Sequence, residues 1–171
     1  FRHELLIDSE KACIETLQAN GFKNAIQSKV EDVDFSIYSG TVDLLAAAPP
    51  CQPWSLGGID KGQVDRRNGW EETIRAVREC MPRSFLFENV GGILRPKFGN
   101  YLQSITDRLS GMGYSILIES VNAKEYGIPQ NRKRVFIIGF KDADAREKYV
   151  SPSKSDKVIS VREALSHLGE P

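Results

Sequence analysis

Three short groups of residues have types and spacings that could do chemistry. In Pro49-Pro50-Cys51-Gln52-Pro53 a thiol stands between prolines that restrict the backbone around it, just after the strand read from Val42 to Ala47. A cysteine held in this way suits a nucleophile, and a buried cysteine in a proline-rich turn is the ordinary alternative. Glu88 follows Phe85-Leu86-Phe87. A carboxylate ending such a strand is costly to bury unless it is protonated or paired, and partial burial favours the protonated, proton-donating form. The alternative is a strand-end glutamate that turns toward water. In Gln130-Asn131-Arg132-Lys133-Arg134 the two arginines alternate. If this segment enters a strand, period two places both on one face, where two guanidiniums could hold a phosphate, a base carbonyl or a carboxylate. A solvated basic turn is the plainer reading.

The elements that must position these groups follow from periodicity and punctuation. A short strand spans Glu4 to Ile7, and Asp8-Ser9 caps a helix to about Asn20 with Gly21 as its stop. Cys13 falls on that helix beside Ala12 and Leu17 and reads as a small core residue. After the strand Val42 to Ala47, Trp70, Ile74, Val77 and Met81 mark one face of a helix that Pro82 ends, with Cys80 packing beside them. An apolar strand from Ser84 to Phe87 runs into Glu88-Asn89. Phe98, Tyr101, Leu102, Ile105, Leu109 and Met112 then form a second amphipathic helix closed by Gly113. Strands near Tyr114 to Val121 and Val135 to Phe140 flank the basic turn. Lys141 to Lys157 reads as a polar loop or linker, and Ser160 with Glu163 forms a capping box that opens a short helix to about Leu168.

Strands that alternate with helices and are apolar on both faces predict an α/β fold, a mostly parallel sheet with helices on both faces. Such sheets bind ligands at the carboxyl ends of their strands, where Asp8, Pro50-Cys51 and Glu88-Asn89 all fall. The 171 residues suit one domain; Lys plus Arg number 23 and Asp plus Glu 23, so any nucleic-acid footprint must be local. Three cysteines without a CxxC pair and two histidines at opposite ends support neither a disulfide framework nor a metal site. No apolar run approaches the ~20 residues that span a bilayer, so no membrane partner is expected. The first residues lack the pattern of a secretory leader.

Taken in order, PPCQPWS (residues 49–55), FLFENVGG (85–92) and YGIPQNRKRVFIIG (126–139) resemble the DNA (cytosine-5)-methyltransferase family, over roughly Leu5 to Phe140. The resemblance implies a Rossmann-like, S-adenosylmethionine-dependent methyltransferase fold, incomplete at its N-terminal strand. Residues 1–140 would form the core of the catalytic domain, and 141–171 a linker and short helix leading toward a target-recognition region. It also implies methyl transfer to carbon 5 of cytosine in duplex DNA, as in restriction-modification. Cys51 would add to cytosine C6, Glu88 would neutralise charge at N3, Arg134 would contact the cytosine carbonyl, and Arg132 would be its partner. S-adenosylmethionine would be held by Asp8 at the ribose, Asp32 at the adenine amino group, Val33 against the ring and Pro50 beside the nucleophile. Trp70 falls where the family places an apolar residue on the cofactor, and a core tryptophan fits it equally. Gln52, Ser55, Arg67, Asn89 and Gln130 would serve the substrate, and Lys61, Arg66 and Arg67 in the loop 55–69 could meet phosphates while the base is flipped out. The family's glycine-rich first turn is expected to precede Phe1, so a complementing segment or chain is an expected partner and the isolated chain should turn over little. Such an enzyme would work in the cytoplasm on bacterial or phage DNA, or in a eukaryotic nucleus. A transfer-RNA cytosine methyltransferase and a non-catalytic subunit of the same fold are the two alternatives.

Overall fold

A computed structural model describes residues 1–50 and 69–169. Two sheets organise them. In the first, β1 (Leu6–Asp8) pairs in parallel with β2 (Ala25–Gln27), with α1 (Lys11–Ala19) as the crossover between them. The cap expected from Asp8-Ser9 is not made: the N-cap of α1 is Glu10, with no side-chain cap, and Asp8 Oδ1 accepts from the Glu10 N–H at 2.8 Å just before the helix. The second sheet has the order β3-β4-β6-β5, formed by Leu44–Ala47, Ser84–Val90, Lys133–Phe140 and Ser115–Asn122. The strand β3 runs parallel to β4, whereas β6 is antiparallel to both neighbours. The sheet is mostly parallel, as expected, with one reversed strand: β3, β4 and β5 run in one direction and β6 runs against them. Apolar composition reports burial of both faces, and it is the connection that sets direction. The link from β5 to β6 holds only the single turn Ala123–Tyr126 and no crossover helix, so β6 returns beside β5.

One face of the larger sheet forms the core. Phe85, Phe87, Val135 and Ile137 point to α2 (Trp70–Cys80) and α3 (Gly99–Gly111), which contribute Trp70, Ile74, Val77, Tyr101, Ile105 and Leu109. The helical spacing read from the sequence holds for this face except at its end. Met81 leaves the helix in a left-handed conformation (φ 45°) and is partly exposed, with Pro82 following. Both α2 and α3 pack on this face. The opposite face carries Leu86, Phe136, Ile138 and Phe140 in a shallow groove of about 450 Å³.

Part of that groove is covered by the segment expected to be a linker. Residues Ala143–Lys148 form α4, capped by the Asp142 side chain accepting from the Asp144 N–H at 2.9 Å. The chain then crosses the sheet: the Tyr149 and Ser151 hydroxyls both donate to Glu119 on β5, and the Ser155 N–H donates to the Glu125 carbonyl at 2.7 Å. These partners lie about thirty residues upstream, beyond the reach of local patterning. The capping box at Ser160 and Glu163 forms as expected and opens α5 (Val161–Leu165). Cys13 departs from expectation: α1 buries Ile14, while the thiol is exposed beside Asp8, whose negative charge pushes it up from the usual thiol range. Among the described residues, no helix is long and apolar enough to cross a membrane.

Candidate functional site

The end of β4 places two polar residues on opposite faces of the sheet. Glu88 is directly across from Phe136, and Val90 is across from Arg134. Glu88 and Arg134 are therefore diagonal neighbours on one face, and the Arg134 Nε abuts Glu88 Oε1 as an ion pair. Neither is sealed away: the side chains keep 32% and 21% of their exposure. The environment of Glu88 is thus a guanidinium and partial solvent, not the apolar enclosure that the strand composition suggested. The Nε–H has no aligned hydrogen-bond acceptor among the described residues, so the pair is held by charge and proximity.

Arg132, expected on the same face, is not in the strand. The strand β6 begins at Lys133, and Arg132 lies exposed in the preceding turn, where its carbonyl accepts from the Ala123 N–H at 3.0 Å. Period two applies only from the first paired residue. Gln130 is exposed in the same turn. Asn122, at the end of β5, donates to Asn131 Oδ1 at 2.8 Å and ties the turn to the sheet.

On the other face Asn89 is 1% exposed, and its side chain is used twice. Its Oδ1 accepts from the Val90 N–H at 2.9 Å, and its Nδ2 donates to the Pro49 carbonyl at 3.3 Å. Pro49 and Pro50 extend from β3, which is in register with β4 through Ala47 and Phe87. Gly69, just before α2, presses on them from below: a Cβ there would lie 2.6 Å from Pro50 Cδ. The residues leading to Cys51 are thus clamped between a buried amide and a glycine. Asn89→Leu keeps the volume but strands the Pro49 carbonyl. We expect it to cost about 1–3 kcal/mol, read as a lower urea midpoint. An unchanged midpoint would show that this clamp contributes nothing. Cys51, Gln52, Ser55, Lys61, Arg66 and Arg67 lie outside the described residues.

Asp8 ends β1 half-buried, with its backbone carbonyl accepting from Ser28 at 3.1 Å. Asp32 is exposed in a single turn, Val30–Asp32, just after β2. Val33 packs against a second core cluster formed by Phe35, Ala76 and Cys80. By type, these residues suit an adenosyl group: two accessible carboxylates can accept from hydroxyls or an amino group, and Val33 offers an apolar side chain. Trp70 is fully buried, edge-on to Phe87 at 6.0 Å, and belongs to the core. Among the described residues, no cluster of three or more His, Cys, Asp or Glu could hold a metal ion.

Two residues escaped the sequence. Gly69 gives no local sign of the close approach to Pro50. Arg75, three residues after Glu72 and four before Glu79, reads as an ordinary helix-surface ion pair. In the fold it also reaches the backbone on either side of Asp32.

The family C-5 cytosine-specific DNA methylase matches residues 1–168. The chain is 39% identical over 169 residues to the type II methyltransferase M.PspPI of Psychrobacter sp. (strain TA137), covering 96% of the chain and 41% of that protein. It is 34% identical over 171 residues to M.MthTI of Methanothermobacter thermautotrophicus, covering 96% and 49%. Among solved structures, one described as a DNA modification methyltransferase encoded within an E. coli prophage superposes with a TM-score of 0.75 at 28% identity, over 96% of the chain and 48% of that protein. The S. pombe Dnmt2 methyltransferase, at 19% identity and a TM-score of 0.68, shares the fold. The chain spans about half or less of the length of each of these proteins.

Proposed function

Because the chain belongs to the C-5 cytosine-specific DNA methylase family, we propose that the polypeptide carrying it methylates carbon 5 of cytosine in duplex DNA. The observation that carries this reading is the Glu88–Arg134 pair on β4 and β6, one residue from the amide that anchors the Pro49-Pro50-Cys51 segment. Cytosine C5 is a poor nucleophile. Addition of the Cys51 thiolate to C6 breaks the C5–C6 double bond and moves its electrons into the ring, which makes C5 enamine-like. The charge that develops toward N3 and the carbonyl is met by Glu88, as its acid, and by the guanidinium of Arg134. Once C5 carries the methyl group, loss of its proton re-forms the C5–C6 double bond and expels the thiolate from C6. S-adenosylmethionine, when bound, supplies the methyl group to C5. Asp8, Asp32, Val33 and Pro50 would hold it at the ends of β1, β2 and β3.

Because the target atom is stacked inside a duplex, the base must be flipped out, and Lys61, Arg66 and Arg67 would meet the backbone left behind. Gln52, Ser55 and Gln130 would complete the substrate contacts, with Arg132 supporting the same turn. Segments outside this chain would supply target recognition. The relatives' assignment as type II enzymes favours DNA over transfer RNA as substrate and suggests a restriction-modification setting.

The test incubates the polypeptide carrying this chain with S-adenosylmethionine and a duplex bearing 5-fluorocytosine, which lacks the proton needed for release. A denaturation-resistant adduct is expected on the duplex and not on transfer RNA. Labelling of transfer RNA instead would reverse the substrate, and absence of both adduct and methyl transfer would favour a non-catalytic subunit. Within this mechanism, Glu88→Gln retains the shape and loses the proton. We expect roughly 10²-fold slower methyl transfer, measured in single turnover, and an unaffected rate would remove Glu88 from the acid role.

A further inference from the structure

The turn that carries Asp32 and Val33 is short, and its own backbone does little to hold it. It contains one turn of 3-10 helix, in which Asp32 N–H donates to Lys29 and Val33 N–H to Val30 at 3.1 and 3.3 Å. What fixes it lies forty residues away on α2. Arg75 donates from Nη2 to the Val30 carbonyl at 2.7 Å and from Nη1 to the Val33 carbonyl at 3.0 Å, gripping the turn on both sides of Asp32. The guanidinium is itself aimed by two carboxylates. Its Nε meets Glu72 Oε2 at 2.6 Å, and its Nη1 meets Glu79 Oε2 at 3.0 Å. Glu79 Oε2 also accepts from the Phe35 N–H at 3.0 Å, and the guanidinium lies 5.3 Å from the Phe35 ring centroid. All three charged side chains retain about a quarter of their exposure.

This is more apparatus than a helix-surface ion pair needs. A fork of donors divided between two carboxylates and two carbonyls has little rotational freedom, and the carbonyls it holds define where Asp32 and Val33 stand. Lysine, with one nitrogen, could not bridge both carbonyls and both carboxylates. The same helix begins at Gly69, against Pro50. One rigid element therefore sets the position of the Asp32 turn and of the residues that lead to Cys51.

We propose that Arg75 is a positioning residue for the methyl donor: with Glu72 and Glu79 it fixes the Asp32–Val33 turn against α2 and so sets the adenosyl end of the donor site. The proposal rests on the reading of Asp32 and Val33 as donor-binding residues. The test compares Arg75→Met, Arg75→Lys and Asp32→Ala with the unaltered protein by amide hydrogen exchange and by calorimetric binding of S-adenosylhomocysteine. Steady-state kinetics in the polypeptide carrying this chain complete it. In Arg75→Met the Val33 and Phe35 amides should exchange roughly tenfold faster while β4 amides do not change, and affinity for S-adenosylhomocysteine should fall roughly tenfold. KM for the donor should rise by a similar factor with kcat within about twofold, as expected when only binding geometry is lost. Arg75→Lys should fall between, and it carries the test alone if Arg75→Met does not fold. Unchanged exchange at Val33 and Phe35 overturns the proposal. So does faster exchange with affinity retained while Asp32→Ala loses it. If Asp32→Ala also leaves affinity unchanged, or the unaltered protein binds no S-adenosylhomocysteine, the donor-site reading itself falls, an outcome distinct from failure of Arg75 alone.

Discussion

Serine in place of Cys51 is expected to abolish methyl transfer, by at least roughly 10⁴-fold, and to eliminate the adduct with 5-fluorocytosine DNA. The variant exchanges sulfur for oxygen at nearly constant shape. A serine hydroxyl is scarcely ionised near neutral pH, whereas a cysteine thiol beside a cation is readily available as thiolate. The loss should therefore be chemical and not architectural. The preceding residues are held by Asn89 at the Pro49 carbonyl and by Gly69 beneath Pro50, and neither contact involves the sulfur. Thermal unfolding of Cys51→Ser should accordingly match that of the unaltered protein. The other two thiols are poor substitutes. Cys80 is buried against Phe35, and burial, with the charge of Glu79 adding to it, pushes its thiol up to about 11. Cys13 is exposed but stands next to the carboxylate of Asp8, which disfavours its thiolate. A persistent adduct in Cys51→Ser would place the nucleophile elsewhere and overturn the central assignment.

Alanine in place of Gly139 is expected to destabilise the fold by about 3 kcal/mol or more. Gly139 stands one residue from the end of β6, directly across from Phe85, and the Phe85 ring occupies the space that a side chain would need. A Cβ at position 139 would fall 2.1 Å from Phe85 Cζ and 2.2 Å from Cε1. The ring has no room to retreat. It is fully buried, stacked on Phe87 at a centroid distance of 4.5 Å and tilted against Tyr114 at 5.1 Å. A single methyl must therefore move either the strand or three aromatic residues at the centre of the core. For a chain of this size the expected loss corresponds to a fall in Tm of roughly 6–12 °C. Because the two residues share one space, Phe85→Leu should be less damaging in the Gly139→Ala background than alone, and a double-mutant cycle should give a favourable coupling. Additive effects, or a Tm within a degree of the unaltered protein, would show that the strand yields at little cost.

Much of this was legible along the chain. The helix faces at Trp70, Ile74 and Val77 and at Tyr101, Ile105 and Leu109, the strand leading into Glu88, and the capping box at Ser160 all rest on periods and caps of a few residues. The sequence order of Cys51, Glu88 and Arg134 carried the family. Where reading failed, the cause was long-range. Lys141 to Lys157 looked like a linker because its tie to the sheet is made by Glu119 and Glu125, and Cys13 looked buried because apolar neighbours alone do not tell which side of a helix is covered.

The linear order of residue types thus settled which groups could react and which local elements would carry them, since those depend on composition and period. Pairing belonged to the folded chain. The direction of β6 brought Arg134 diagonal to Glu88 and left Arg132 outside the strand, and the packing of α2 brought Gly69 to Pro50 and Arg75 to the carbonyls around Asp32. Each of these contacts spans about twenty to forty-five residues, and each depends on backbone direction and on which helix covers which face, properties that no local window of sequence contains.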